Sequence, residues 1–143
     1  FEDINKGLTT AQAFIDQGAD VILPVAGQVG EGAARAALDS GTASIIWVDS
    51  DGYDTLSPDF RPVLLTSVLK NTGSAVVEIV KTSIDDTFDN APFIGTLENG
   101  GVGIAPFHDL APRVSAELSA EIDQLRSDIV AGTIVVTSPS TPR

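Results

Sequence analysis

Cysteine is absent from this 143-residue chain, which rules out disulfides and thiolate metal ligands and leaves the redox compartment open. Histidine occurs once, at position 108, and with no cysteine and no evident catalytic serine this argues against triad chemistry. Basic residues are scarce: 8 Lys and Arg stand against 20 Asp and Glu, for a formal net charge of -12. Nucleic acid needs lysine and arginine to displace counterions from phosphates, so it is not expected as a partner. An anionic membrane surface is disfavoured for the same reason. No apolar run approaches the ~20 residues that span a bilayer. What remains is a globular composition, 43% hydrophobic with a mean hydropathy of +0.19, in a chain long enough for one domain with a buried core. The acidic surface is read as a solubility device.

Helix and strand patterns alternate along the chain. Ile4, Leu8, Ala11 and Ile15, with Phe14 beside them, form one apolar helical stripe, with Asp3 as cap and Gly18 as stop. Val21 to Val25 is a short apolar run expected as a strand buried on both faces. A second helix is expected from Gly30 to Ser40, with Ala33, Ala34, Ala37 and Leu38 inward and Gly41 as its stop. Ser44 to Val48 and Val63 to Leu69 are further strands, separated by loop residues. Asn71 or Thr72 caps a helix carrying Val76, Val77, Val80 and Ile84. Phe93 to Leu97 and Val102 to Ala105 are expected to pair as a hairpin through Asn99-Gly100-Gly101. Pro112, at a first helical position, opens a last helix striped by Leu118, Ile122, Leu125 and Ile129 and closed by Gly132. Thr133 to Thr137 reads as a strand and residues 138–143 as a frayed tail. The order implies an α/β fold: a mostly parallel sheet flanked by helices on both faces.

Three of these strands run into residues suited to holding a small molecule: Ala26-Gly27, Asp49 and Lys70. Strand carboxyl ends share one edge of a parallel sheet, and ligands bind there. Asp49 suits a ribose diol, since a carboxylate accepts from two neighbouring hydroxyls at once; a helix cap or an ion pair with Lys70 is the alternative. Lys70 can donate to a carbonyl, ring nitrogen or phosphate, or serve as an ordinary surface lysine. The turn from Ala26 to Gly32 brings backbone N–H groups towards a ligand at a helix N-terminus, or makes a tight strand-to-helix connection. Its G-x-x-G-x-G order departs from the dinucleotide fingerprint, although Asp49 lies ~20 positions on. A nucleotide-cofactor enzyme domain using the turn from Gly27 to Gly32 and Asp49 is therefore the rival reading. The acidic stretch Asp49 to Asp54 has its glycine fourth, not sixth, and Phe60 stands where an EF-hand has an acid, so no metal is assigned. His108 is read as a packed or capping residue, and Trp47 and Phe107 as core or crevice wall. Phe1 precedes a helix with no strand before it. The chain therefore reads as a piece cut after a strand, with the Phe1 ring either on the same edge as Asp49 and able to stack on a flat ring, or part of a frayed terminus.

Six blocks carry a resemblance. Phe1 to Gly7, Gln17 to Ile22, Val25-Ala26-Gly27, Val48 to Asp51, Leu65 to Asn71 and Gly100 to Pro106 resemble, in the same order, the basic membrane protein family. These are substrate-binding lipoproteins of ABC transporters with a two-lobed type I periplasmic-binding-protein fold, and characterised members bind purine nucleosides. The resemblance implies an aromatic stack from Phe1, backbone contacts around Ala26 and Gly27, ribose hydroxyls on Asp49 and a base contact from Lys70. It implies no catalysis and no cofactor, an ABC permease as partner, and an extracytoplasmic, lipid-anchored location. Trp47, where a small residue is common, and Gln28-Val29, where Gly-Thr is usual, depart from the pattern. The chain is about half of a two-lobed protein. It is expected to be the C-terminal lobe, residues 1–137 with a closing segment at 133–137. The N-terminal lobe would be absent, and the bare face is expected to self-associate.

Overall fold

The computed structural model describes residues 2–139. Phe1 and the last four residues of the expected tail lie outside them. The chain forms two compact units. The first holds the residues up to Leu69 together with Ile104–Arg113; the second holds Lys70–Gly103 and the segment from Val114 onward.

In the first unit, α1 (Ile4–Asp16) starts at Asp3, whose carboxylate accepts from the Lys6 N–H at 3.1 Å, as its cap position predicts. α2 (Val29–Ser40) ends at Gly41, which takes the left-handed conformation and donates to the Ala37 carbonyl. The two helices meet backbone to backbone. A Cβ on Gly7 would fall on the Val29 carbonyl oxygen, and one on Gly32 on the Ile4 carbonyl oxygen, 2.5 Å from the Leu8 nitrogen. Ala33, Ala34, Ala36 and Ala37 of α2 are buried in the core with Ala11, Ile45 and Leu64. Small residues on α2 let it lie close to its neighbours, and the core is correspondingly thin.

β1 (Val21–Ile22), β2 (Ser44–Asp49) and β3 (Leu64–Lys70) pair in parallel, Val21 opposite Ser44 and Asp49 opposite Leu69. With β4 (Val102–Ile104) the sheet order follows the chain. β1 is shorter than the expected Val21 to Val25 run and is an edge strand, with Val21, Leu23 and Val25 exposed. Pro24 has no N–H for the ladder, and the chain turns at Ala26, whose N–H donates to the Pro24 carbonyl. The segment expected as loop after β2 is tighter than that: α3 (Gly52–Thr55), capped by Asp51, and a 3-10 turn at Pro58–Val63.

The second unit contains α4 (Thr72–Ile84) and α5 (Ala116–Val130). Both are legible as stripes, yet neither has a buried residue, and Val76, Val77, Val80 and Ile84 are all at least half exposed. Three expectations fail between Phe93 and Thr137. Phe93 to Leu97 is not a strand: the Asn99 side chain accepts from the Thr96 and Gly101 N–H groups and donates to the Ile94 carbonyl, and a lone backbone bond, Val102 N–H to the Thr96 carbonyl, joins the two runs in place of a ladder. Pro112 does not open the last helix; it lies in a 3-10 turn at His108–Arg113, and α5 begins after Ser115, whose hydroxyl accepts from the Leu118 N–H. Thr133 to Thr137 is not a strand; the Thr133 and Ile134 N–H groups fold back onto the Asp128 carbonyl instead. Among the described residues no helix is long and apolar enough to cross a membrane.

Candidate functional site

Parallel pairing puts the carboxyl ends of β1 and β2 on one edge of the first unit, with Gly27 and Asp49 in the connections that leave it. Gly27 is exposed in left-handed backbone (φ 56°) and its carbonyl accepts from the Gly30 N–H as the chain enters α2. Ala26 is half-buried beside it. Asp49 is the last residue of β2, exposed, with φ 71°. The Ser50 N–H closes back on the Val48 carbonyl at 2.9 Å, so Asp49 sits at the centre of a three-residue turn in its rare positive-φ form. Lys70 is the last residue of β3 and belongs to the second unit. Phe1 lies outside the described residues.

Behind this edge stands Trp47, 8% exposed. Gly30 and Gly52 lie on its ring: a Cβ on Gly30 would come within 2.9 Å of it, and one on Gly52 within 2.8 Å. The indole therefore supports both the turn entering α2 and the turn entering α3, and it fits because each contact point is a glycine.

No sequence signal points to the polar cluster just beyond Asp49. The Asp51 carboxylate accepts from the Tyr53 N–H (3.1 Å) and the Ser67 hydroxyl (3.2 Å), and its other oxygen lies 2.7 Å from His108 Nε2. Ser67 in turn accepts from the Gly52 N–H at 3.0 Å. The Tyr53 ring stacks on His108 with centroids 4.1 Å apart, and the Arg61 guanidinium lies 4.4 Å from the Tyr53 centroid. The Tyr53 hydroxyl donates to Asp109. Both Asp51 oxygens are thus used by protein donors, and the acidic loop is a hydrogen-bonded knot. His108 is the packed residue the sequence suggested, with a named partner.

The Asp109 hydrogen bond, and after it burial, raises the Tyr53 phenol above its ordinary pKa of 10.0. A raised phenol pKa means that Tyr53 stabilises the fold fully below pH ~10 and loses that contribution as pH rises through the folded-state value. Tyr53 is the single tyrosine, so phenolate absorbance reads it alone. Asp109→Asn is expected to bring its alkaline titration down towards the ordinary value; an unchanged titration would show that Asp109 is not the cause.

The Bmp family, described as ABC transporter substrate-binding protein PnrA-like, matches residues 1–140. The chain belongs to the Bmp family. Basic membrane protein A of Borreliella burgdorferi is 32% identical over 142 residues, covering 96% of this chain and 40% of that protein. An ABC transporter solute-binding protein from Aeropyrum pernix K1 superposes with a TM-score of 0.79 at 21% identity, over 99% of this chain and 46% of that one. Another from Conexibacter woesei gives 0.75 at 20% identity, over 96% and 43%. This Bmp-family chain thus spans less than half the length of the relatives it matches. The family and the periplasmic-binding-protein-like α/β fold, a mostly parallel sheet with flanking helices, are as the sequence implied.

Two hollows occur away from the strand-end edge. One of about 380 Å³ in the first unit is lined by Phe14, Ala19 and Val21 to Leu23, and one of about 580 Å³ in the second lies between α4 and residues 87–93. Neither includes Ala26, Gly27, Asp49 or Lys70. The strand-end edge of this Bmp-family chain is a shelf of turns and polar groups.

Proposed function

We propose that the chain is part of the solute-binding component of an ABC importer and that its solute is a purine nucleoside. In this reading Asp49 accepts from the ribose diol, the backbone at Ala26-Gly27 lies along the ligand, and Lys70 and Phe1 meet the base, Phe1 by stacking. The component carries its ligand to a permease from an extracytoplasmic, lipid-anchored position and performs no catalysis. The chain supplies the C-terminal lobe, and closure against a further lobe completes the crevice by a hinge motion. The observation that carries the reading is the turn at Asp49: a non-glycine residue held at positive φ, exposed, at the carboxyl end of a parallel strand. Strain of this kind persists where the surroundings enforce it, and it is concentrated at binding sites. The family match over residues 1–140 supports the same assignment.

Amide-shift mapping on the chain tests it, because the method detects the weak binding expected of a single lobe. Adenosine, guanosine or inosine should move the amides of Gly27, Asp49 and Ser50. Asp49→Ala should weaken binding by about 1.5–3 kcal/mol, the range for hydrogen bonds to a charged group, or roughly 10- to 150-fold. Shifts with NAD and none with the nucleosides would transfer the site to a nucleotide-cofactor domain.

A further inference from the structure

The turn at Asp49 is closed by a backbone hydrogen bond, Ser50 N–H to Val48 carbonyl. A non-glycine residue at φ 71° persists where its neighbours are fixed. The neighbours are fixed two residues on, at Asp51. Its carboxylate ties together three parts of the first unit: the start of α3 through Tyr53, β3 through Ser67, and the turn after β4 through His108. The Gly52 N–H is anchored on Ser67, and Gly52 itself is pressed on Trp47. His108 is also at positive φ, 42°, so the second non-glycine residue of the first unit in left-handed backbone stands at the other end of the same knot. The bond between His108 and Asp51, at 2.7 Å and with both side chains about one-fifth exposed, is the shortest in the cluster.

We propose that His108 is a positioning residue: by holding Asp51 it fixes the strained turn that presents Asp49, and so couples ligand affinity at the strand-end shelf to the charge on one imidazole. The proposal rests on the reading that Asp49 meets the ligand. The ionisable groups around His108 are Asp51 in hydrogen-bond contact, Tyr53 stacked on the ring, Asp109 bonded to the Tyr53 hydroxyl, and Arg61 against the Tyr53 ring. A protonated ring makes a charge-assisted bond to Asp51, which is shorter and about twice as strong as a neutral one. The turn is therefore held more firmly at acid pH, and ligand affinity should rise as pH falls.

His108 is the single histidine, so its ring resonances are unambiguous in a proton NMR titration of the whole chain. Over the pH range in which the ring titrates, the amides of Ser50 and Gly52 should follow the same curve as the ring. Adenosine affinity, read at the Gly27 amide, should rise by roughly fivefold over that range, the lower end of ordinary coupling between sites. His108→Gln keeps a donor and no titration: it should bind adenosine with a flat pH profile. His108→Ala should bind more weakly at every pH. Ser50 and Gly52 amides that stay still while the ring titrates would overturn the proposal, and this arm requires no variant to fold. If the amides follow the ring but adenosine moves nothing, the coupling stands and the nucleoside assignment fails.

Discussion

Trp47→Ala is expected to cost about 3–5 kcal/mol of stability, the usual result of emptying a large buried aromatic site. The indole is 8% exposed and touches the first turn of α2 at Gly30 and of α3 at Gly52. Nothing at either contact point can move in to fill the space, because both are backbone with no side chain. The loss should appear as a lower urea midpoint at unchanged slope. A double-mutant cycle sharpens the test. Gly30→Ala drives a methyl to 2.9 Å from the far edge of the ring and should destabilise the parent chain by about 1–3 kcal/mol. In a Trp47→Leu background, where that ring edge is gone, the same change should be nearly neutral. Equal costs in both backgrounds would mean that Gly30 is needed for its backbone and that the ring fit is incidental.

Gly32→Ala is expected to cost about 2 kcal/mol or more, although alanine is normally the better helix former by up to about 1 kcal/mol. The new methyl would meet the Ile4 carbonyl and the Leu8 nitrogen of α1, and backbone cannot rotate away as a side chain can. Gly7→Ala should behave alike, against the Val29 carbonyl. Either change forces the two helices apart and loosens the alanine-lined core beneath α2, where Ala33, Ala34 and Ala37 have no length to spare. Thermal unfolding decides: at about 2–4 °C per kcal/mol for a chain of this size, a drop of roughly 4–8 °C is expected, and a rise would refute the close crossing.

These two sites also show where reading the sequence stops. The stripe of α1, the alanines of α2 with Gly41 as its stop, and β2 and β3 with their polar ends are legible because their signals are local: spacing, capping and turn chemistry. Gly7 and Gly32 are not, because glycine inside a helix reads locally as weakness and only the crossing partner shows its use. The role of His108 lies 57 residues away at Asp51 and leaves no mark near either residue. The hairpin over 93–105 is misread for the opposite reason: Asn-Gly-Gly is a strong local signal, but the Asn99 side chain bonds the turn and a lone backbone bond joins the two runs in place of a ladder. Phe1 and Lys70 draw their proposed roles from the family resemblance more than from their own surroundings.

Trp47, Tyr53 and His108 are the chain's single tryptophan, tyrosine and histidine, and all three belong to the first unit. Indole and phenol emission therefore report from within the first unit. Melting followed by emission would track the strand-end shelf, while ellipticity would count the helices of both units. A gap between the two curves would measure how far the halves stand or fall independently.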